Sequence, residues 1–204
     1  MRVLIACEFS GVVRDAFTAR GHDAFSCDLL PADGLHIQCD VRLILHDGWD
    51  LLIAHPPCTR LSVSGARWMR NKLPELETAI AFVNTLLWAP IPRICIENPK
   101  SILSTAIRKP DQIIQPYEFG EDAAKQTALW LVGLPPLKPT QYIPGRCVGE
   151  SPADGRLIYR WGNQTDSGQN AEPDAIGRAA RRSRTYPGIA EAMAAQWGCE
   201  PVTC

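Results

Sequence analysis

The chain has 204 residues, 46% of them apolar and 21% charged, with a formal charge of −1 at neutral pH. This predicts one domain of ordinary globular composition with a real core, and it excludes a global basic signature, so any nucleic-acid contact must rest on a local patch. Eight cysteines without a Cys-x-x-Cys spacing argue against a zinc ribbon or a disulfide scaffold, and with no leader ahead of the first strand and no apolar run of membrane length, the reading is a soluble cytoplasmic protein without metal or membrane contact.

Val3 to Ala6 is a short apolar run and predicts a buried strand. Cys7-Glu8-Phe9-Ser10-Gly11 reads as a turn and Val12 to Arg20 as a helix ended by Gly21, the opening strand–helix unit of a doubly wound α/β fold. Gly11 fits two roles equally, close backbone approach to a cofactor or plain punctuation between strand and helix. His22 to Asp28 predicts a second strand ending in a carboxylate. An acid roughly 20 residues beyond the first glycine turn is placed to accept hydrogen bonds from ribose hydroxyls. The alternative is a cap on the turn Leu29-Leu30-Pro31. Leu35 to Val41 predicts a third, short strand.

Asp50 to Ala54 is another apolar run, and His55-Pro56-Pro57 ends it. Two prolines fix φ, remove two backbone donors and steer the chain out of the sheet. Cys58 follows at the carboxyl end of that strand, where ligands bind in open α/β sheets. It is therefore a candidate nucleophile, whereas the other seven cysteines are read as buried structural thiols. The segment beyond holds Arg60, Ser62, Ser64, Gly65, Arg67, Trp68, Arg70 and Lys72. Such a set suits a phosphate backbone and an extruded base, or else a solvated loop. Pro74 to Trp88 predicts a helix with Leu76, Ile80, Val83 and Leu87 on its core face. Pro92 to Ile96 is the next buried strand, and Glu97-Asn98-Pro99 leaves it at the same sheet end as Cys58. Adjacent parallel strands would bring Cys58 and Glu97 to opposite sides of one base-sized pocket. Ile113 to Phe119 and Thr127 to Val132 predict an antiparallel hairpin at the sheet edge. Pro135 to Pro173 is rich in Pro, Gly and polar residues, has no repeat, and carries Arg146, Arg156, Tyr159, Arg160 and Trp161. Arg178, Arg181, Arg182 and Arg184 form a phosphate-binding patch or a solvated helix face, and Gly188 to Trp197 is a final helix.

Pro57-Cys58-x-x-Leu61-Ser62-x-Ser64-Gly65 resembles the catalytic motif of the cytosine-5 DNA methyltransferases, Pro-Cys-x-x-Phe/Leu-Ser-x-x-Gly. Ile96-Glu97-Asn98 resembles the Glu-Asn motif of the same family, in the right order and at a plausible separation. The resemblance covers most of residues 1–137 and the last helix. It implies a doubly wound, mostly parallel sheet of the Rossmann-like, S-adenosylmethionine-dependent methyltransferase type with an antiparallel edge hairpin. The single domain would comprise a core at 1–137, a short insert at 138–175 in place of a target-recognition domain, and a basic segment with a returning helix at 176–204. The implied activity is transfer of a methyl group from S-adenosylmethionine to carbon 5 of cytosine in duplex or single-stranded DNA, in a small phage- or prophage-type enzyme of the restriction-modification kind.

The resemblance also implies roles. Cys58 would add to the ring, Glu97 would hydrogen-bond its N3 and exocyclic amine, and Lys125 with Thr127 would stand where the family carries Gln-x-Arg-x-Arg. Phe9, Ser10, Gly11 and Pro56 would line the cofactor, with Asp28 on the ribose and Asp40 near the adenine. Arg60, Ser62, Arg67, Arg181, Arg182 and Arg184 would meet the nucleic acid. Three positions depart from the pattern: the second glycine of the first turn is missing, Cys39 replaces a glycine before Asp40, and the two arginines near Lys125 are absent. The short insert leaves room for a homo-oligomer or a separate recognition partner. The same Cys chemistry on RNA cytosine or a free pyrimidine nucleotide, and a catalytically silent nucleic-acid-binding module, are the alternatives.

Overall fold

The computed structural model describes residues 1–61, 73–99, 101–171 and 185–199, the side chains of Arg60 and Leu73 excepted. The first half holds β1 (Arg2–Ala6), α1 (Val12–Thr18), β2 (Asp23–Asp28), β3 (His36–Gln38), β4 (Leu51–Ala54), α2 (Leu73–Leu87) and β5 (Ile94–Pro99). The second holds α3 (Leu103–Ala106), β6 (Gln112–Ile114), β7 (Thr127–Val132), β8 (Arg146–Glu150), β9 (Leu157–Arg160) and α4 (Pro187–Trp197). Seven strands form one sheet in the order β3-β2-β1-β4-β5-β7-β6. The first five run parallel, and β7 pairs antiparallel with both β5 and β6. This is a doubly wound, mostly parallel α/β sheet with the expected antiparallel hairpin at its edge.

The apolar runs become central strands because both their faces are covered. Alternate residues of a strand point to opposite faces, and here they feed two cores. Val3, Ile5, Leu51 and Ile53 pack with Val13 and Phe17 of α1 and with Ile189, Met193 and Trp197 of α4. Leu4, Ala6, Leu52 and Ala54 pack on the other face with Val83 and Leu86 of α2. Trp197 is 1% exposed, and its indole N–H donates to the Pro135 carbonyl at 2.9 Å. Burial with a satisfied N–H makes it an anchor for the last helix. Trp197→Ala is expected to lower unfolding stability by roughly 3–5 kcal/mol, measurable as a shift of the urea midpoint with an unchanged slope.

Several boundaries differ from expectation for local reasons. The first helix stops at Thr18, because Arg20 and Gly21 bond to carbonyls only three residues back and Gly21 turns at φ 79. The third strand pairs only over His36–Gln38, because the Asp40 side chain accepts the Arg42 N–H and starts a 3₁₀ turn at Val41–Leu43. The fifth strand runs on through Pro99, since β7 accompanies it from Val132 to Thr127. The segment 138–175 contains the antiparallel pair β8–β9, which the mixed, half-exposed composition had concealed. Burial of the cysteines is not general either: Cys27 and Cys95 are buried, Cys7 and Cys39 are half-buried, and Cys147 and Cys199 are exposed, while Cys204 lies outside the described residues. Among the described residues no helix is long and apolar enough to cross a membrane.

Candidate functional site

Because β3, β2, β1, β4 and β5 run parallel, their carboxyl ends converge on one edge, and the strand order reverses direction between β1 and β4. Ligands of such sheets bind at that switch point. The loops meeting there carry Cys7–Gly11, Asp28–Leu35, Cys39–Asp40, His55–Cys58 and Glu97–Asn98.

On the β1–β2 side the first turn is built by a buried acid that the sequence reading did not single out. Glu8 is 4% exposed, and its carboxylate accepts the backbone N–H groups of Val13 at 2.8 Å and Arg14 at 3.3 Å. The Ser10 hydroxyl donates to the same carboxylate at 3.2 Å. Glu8 thus satisfies the orphan donors that open α1 and complements its positive end. Gly11 sits at φ 73, and a Cβ built there would run into the Arg14 guanidinium. Packing on Arg14 is therefore a reason for this glycine that does not involve a ligand. Arg14 is 6% exposed and donates to the Ser26 hydroxyl at 3.0 Å and the Asp33 carbonyl at 2.6 Å. Ser26 bonds His36 Nδ1 at 2.9 Å, and His36 Nε2 lies 2.9 Å from the Leu30 carbonyl. One buried guanidinium so ties the first turn to the loop after β2.

Asp28 caps the turn after β2, one of the two roles weighed from the sequence. Its Oδ1 accepts the Leu30 N–H at 2.9 Å, the turn cap. Asp40 is held by Arg42, whose side chain and backbone N–H both donate to it, and these bonds keep its carboxyl below the usual range. Cys7 has a left-handed backbone at φ 58, the one non-glycine residue so placed among those described. Its thiol is pushed up to about 12, first by burial and then by the Asp28 and Asp40 carboxylates, so the ends of β1, β2 and β3 face one another electrostatically. Burial likewise lifts Cys27 to about 12, and its sulfur lies 3.8 Å from that of Cys39. Phe9 and Ser10 are half-buried at the same edge.

On the other side of the switch point, β4 and β5 are adjacent and parallel, with Ala54 opposite Ile96. Cys58 follows β4 and Glu97 lies one residue past the last parallel pair of β5, so both stand at the same sheet edge, as the sequence predicts. Pro56 is buried, and its carbonyl accepts the Asn98 side-chain N–H at 3.0 Å, which locks the turn before Cys58 to the end of β5. Cys58 is exposed and opens a short 3₁₀ turn over Cys58–Arg60. The chain is pinned again at Leu61, 1% exposed, whose carbonyl accepts the Ile102 N–H at 2.9 Å.

The Glu97 side chain is 16% exposed and lies 3.2 Å from His55 Nδ1. Burial alone would push its carboxyl up. The hydrogen bond and charge of His55 and the ammonium of Lys125 outweigh that, and the carboxyl lies below its usual range. Lys125 thus acts on Glu97 from the segment leading into β7. Three buried polar atoms at this edge, His55 Nε2, Asn98 Oδ1 and Ser101 Oγ, have no hydrogen-bond partner among the described residues. Among the described residues no group of acids, histidines and cysteines is arranged to hold a metal ion.

Of the proposed nucleic-acid contacts, Ser62, Arg67, Arg181, Arg182 and Arg184 lie outside the described residues, and of Arg60 only the backbone is described. The sequence reading did not find Glu8, Arg14, His55, Asn98 or Ser101 as site residues. The signal for His55 and Asn98 lay within motifs already quoted, since each directly adjoins one of them.

No family model and no curated protein matches the chain. Among solved structures it is similar to an E. coli protein encoded within a prophage and assigned as a DNA modification methyltransferase, at 16% identity and a TM-score of 0.46, covering 71% of this chain and 52% of that one. It is also similar to the 16S rRNA methylase RmtB, at 16% identity and a TM-score of 0.35, covering 64% of this chain and 54% of that one. The chain thus spans about half the length of each.

Proposed function

We propose that the protein transfers a methyl group from S-adenosylmethionine to carbon 5 of cytosine in DNA, through a covalent adduct of Cys58 with carbon 6. The observation that carries this reading is the placement of Cys58 and Glu97 at the ends of adjacent parallel strands, on one edge, across the switch point from Asp28. The two sequence motifs supply the chemistry that this placement permits.

The β1–β2 edge fits the cofactor. Asp28 has one oxygen in the turn cap and its other, Oδ2, bonded to no described residue, as an acceptor for ribose hydroxyls needs. Leu29 and Leu35, 71% and 47% exposed, offer apolar surface beside it for a purine ring. The Glu8 carboxylate takes up the helix-opening N–H groups that would otherwise suit a phosphate, which favours a nucleoside cofactor without one. When bound, S-adenosylmethionine supplies an electrophilic sulfonium methyl. Asp28→Ala removes a charged acceptor worth about 1.5–3 kcal/mol. Calorimetry should then show cofactor affinity about ten- to a hundredfold weaker; an unchanged affinity would count against this seat.

Cytosine carbon 5 is not nucleophilic enough to take a methyl group unaided. Addition of the Cys58 thiolate to carbon 6 makes the ring an enamine, which is. Burial pushes the thiols of Cys7, Cys27 and Cys95 up; Cys58 is exposed. Glu97 holds N3 and the exocyclic amine and stabilises charge developing on the ring. Loss of the carbon 5 proton then expels Cys58. The base must be flipped out of a duplex or already single-stranded. A labelled-methyl assay on duplex DNA, single-stranded DNA, RNA and dCMP tests the reading: incorporation into DNA supports it, incorporation into RNA or dCMP alone moves the substrate, and cofactor binding without transfer to any of the four makes the chain a silent binding module.

A further inference from the structure

His55 is the first residue after β4, and its side chain faces the end of β5. Its backbone N–H donates to the Ala6 carbonyl at 3.0 Å, and Pro56 behind it restricts its backbone. The side chain is 8% exposed, with Nδ1 at 3.2 Å from Glu97 Oε2 and Nε2 buried and bonded to no described residue. These contacts select a proton on Nδ1. Protonated on Nδ1, in the neutral or the charged ring, the histidine donates to the carboxylate. With the proton on Nε2 alone, a lone pair would face the carboxylate and that hydrogen bond would be lost.

We propose that His55 is a positioning residue for the base-binding carboxylate: its Nδ1–H holds Oε2 of Glu97 and leaves the remaining lone pairs of that carboxylate to the edge of the pyrimidine. The inference rests on the reading of Glu97 given above and adds to it the group that aims Glu97. Lys125 supplies charge to the same carboxylate from a different element. The histidine supplies a directed donor on a backbone fixed by β1 and by proline.

Three substitutions and one spectrum test this. Asn carries an amide nitrogen near the position of Nδ1, Gln near that of Nε2, and Leu fills the space with neither. Misaiming a catalytic group by about 1 Å can cost roughly a hundredfold, so H55L and H55Q are each expected to lose about that much in kcat, with little change in KM for DNA or in cofactor affinity. H55N should recover most of the loss. H55L takes the donor from a largely buried carboxylate and is expected to melt lower, so kcat is compared well below every variant's melting temperature, and H55N, which keeps a donor, controls for folding. E97Q combined with H55L should be no slower than E97Q alone, because the two act as one unit. Independently of turnover, ¹⁵N NMR of the purified protein should show His55 Nδ1 protonated. If E97Q turns over like the parent, the reading of Glu97 falls and this inference falls with it. If E97Q is crippled while H55L keeps full kcat, or if Asn and Gln rescue equally, or if Nδ1 carries no proton, the inference alone is overturned.

Discussion

DNA carrying 5-fluorocytosine is expected to become covalently joined to the protein at Cys58 once S-adenosylmethionine has been consumed. Fluorine cannot leave carbon 5 as a cation, so expulsion of the thiolate stalls after methyl transfer. Cys58→Ser should abolish both adduct and turnover, since a serine hydroxyl is far less ionised than a thiol near neutral pH. The contrast with the other thiols sharpens the test. Cys7, Cys27 and Cys95 are held protonated by burial, and Cys147 and Cys199 are exposed but do not stand at the strand ends. A denaturing gel shows the adduct and peptide mapping locates it. An active Cys58→Ser protein, or an adduct on another cysteine, would overturn the mechanism.

Glu97→Gln is expected to lower kcat by about 10²–10³, the loss typical for one donor or acceptor aimed at developing charge. Affinity for DNA should stay nearly intact, because that interaction strengthens mainly in the transition state. Single-turnover rates alongside equilibrium binding separate the two. The same variant makes a stability test with a definite sign. The Glu97 carboxyl is below its usual range in the folded protein: burial opposes this, but His55 and Lys125 prevail. Its contribution to stability is therefore complete above the carboxyl's unfolded value and is lost as pH falls through the folded one. The melting-temperature difference between parent and Gln variant should shrink on acidification.

The sheet was legible because its strands are apolar runs bounded by Gly, Pro and polar turns, and because β1 and β4 are covered on both faces. Cys58 and Glu97 were legible because their neighbours form two motifs in order. Glu8, Arg14 and His55 were not, for one physical reason. Each is a polar residue whose role is set by the particular partner that folding brings to it, and such a residue leaves no periodic mark. Arg14 reaches the Asp33 carbonyl 19 residues away, and His55 reaches Glu97 at a separation of 42. Asp28 shows a different limit: the sequence posed ribose acceptor against turn cap, and of the two the structure shows the cap. The β8–β9 pair was hidden because its residues are mostly exposed, so it lacks the one-sided alternation that reveals a strand.

The carboxylate of Glu8 has a consequence for competition among metabolites. A doubly wound sheet shares its architecture with proteins that hold phosphorylated nucleotides, and cells are rich in these. With a fixed negative charge already bonded to the first amides of α1, a pyrophosphate arriving at that turn meets repulsion and spent donors. An adenosine-bearing cofactor with a cationic centre and no phosphate meets neither. On the proposed reading, discrimination against ATP or NAD would begin at this turn, where the Glu8 carboxylate already occupies the first amides of α1.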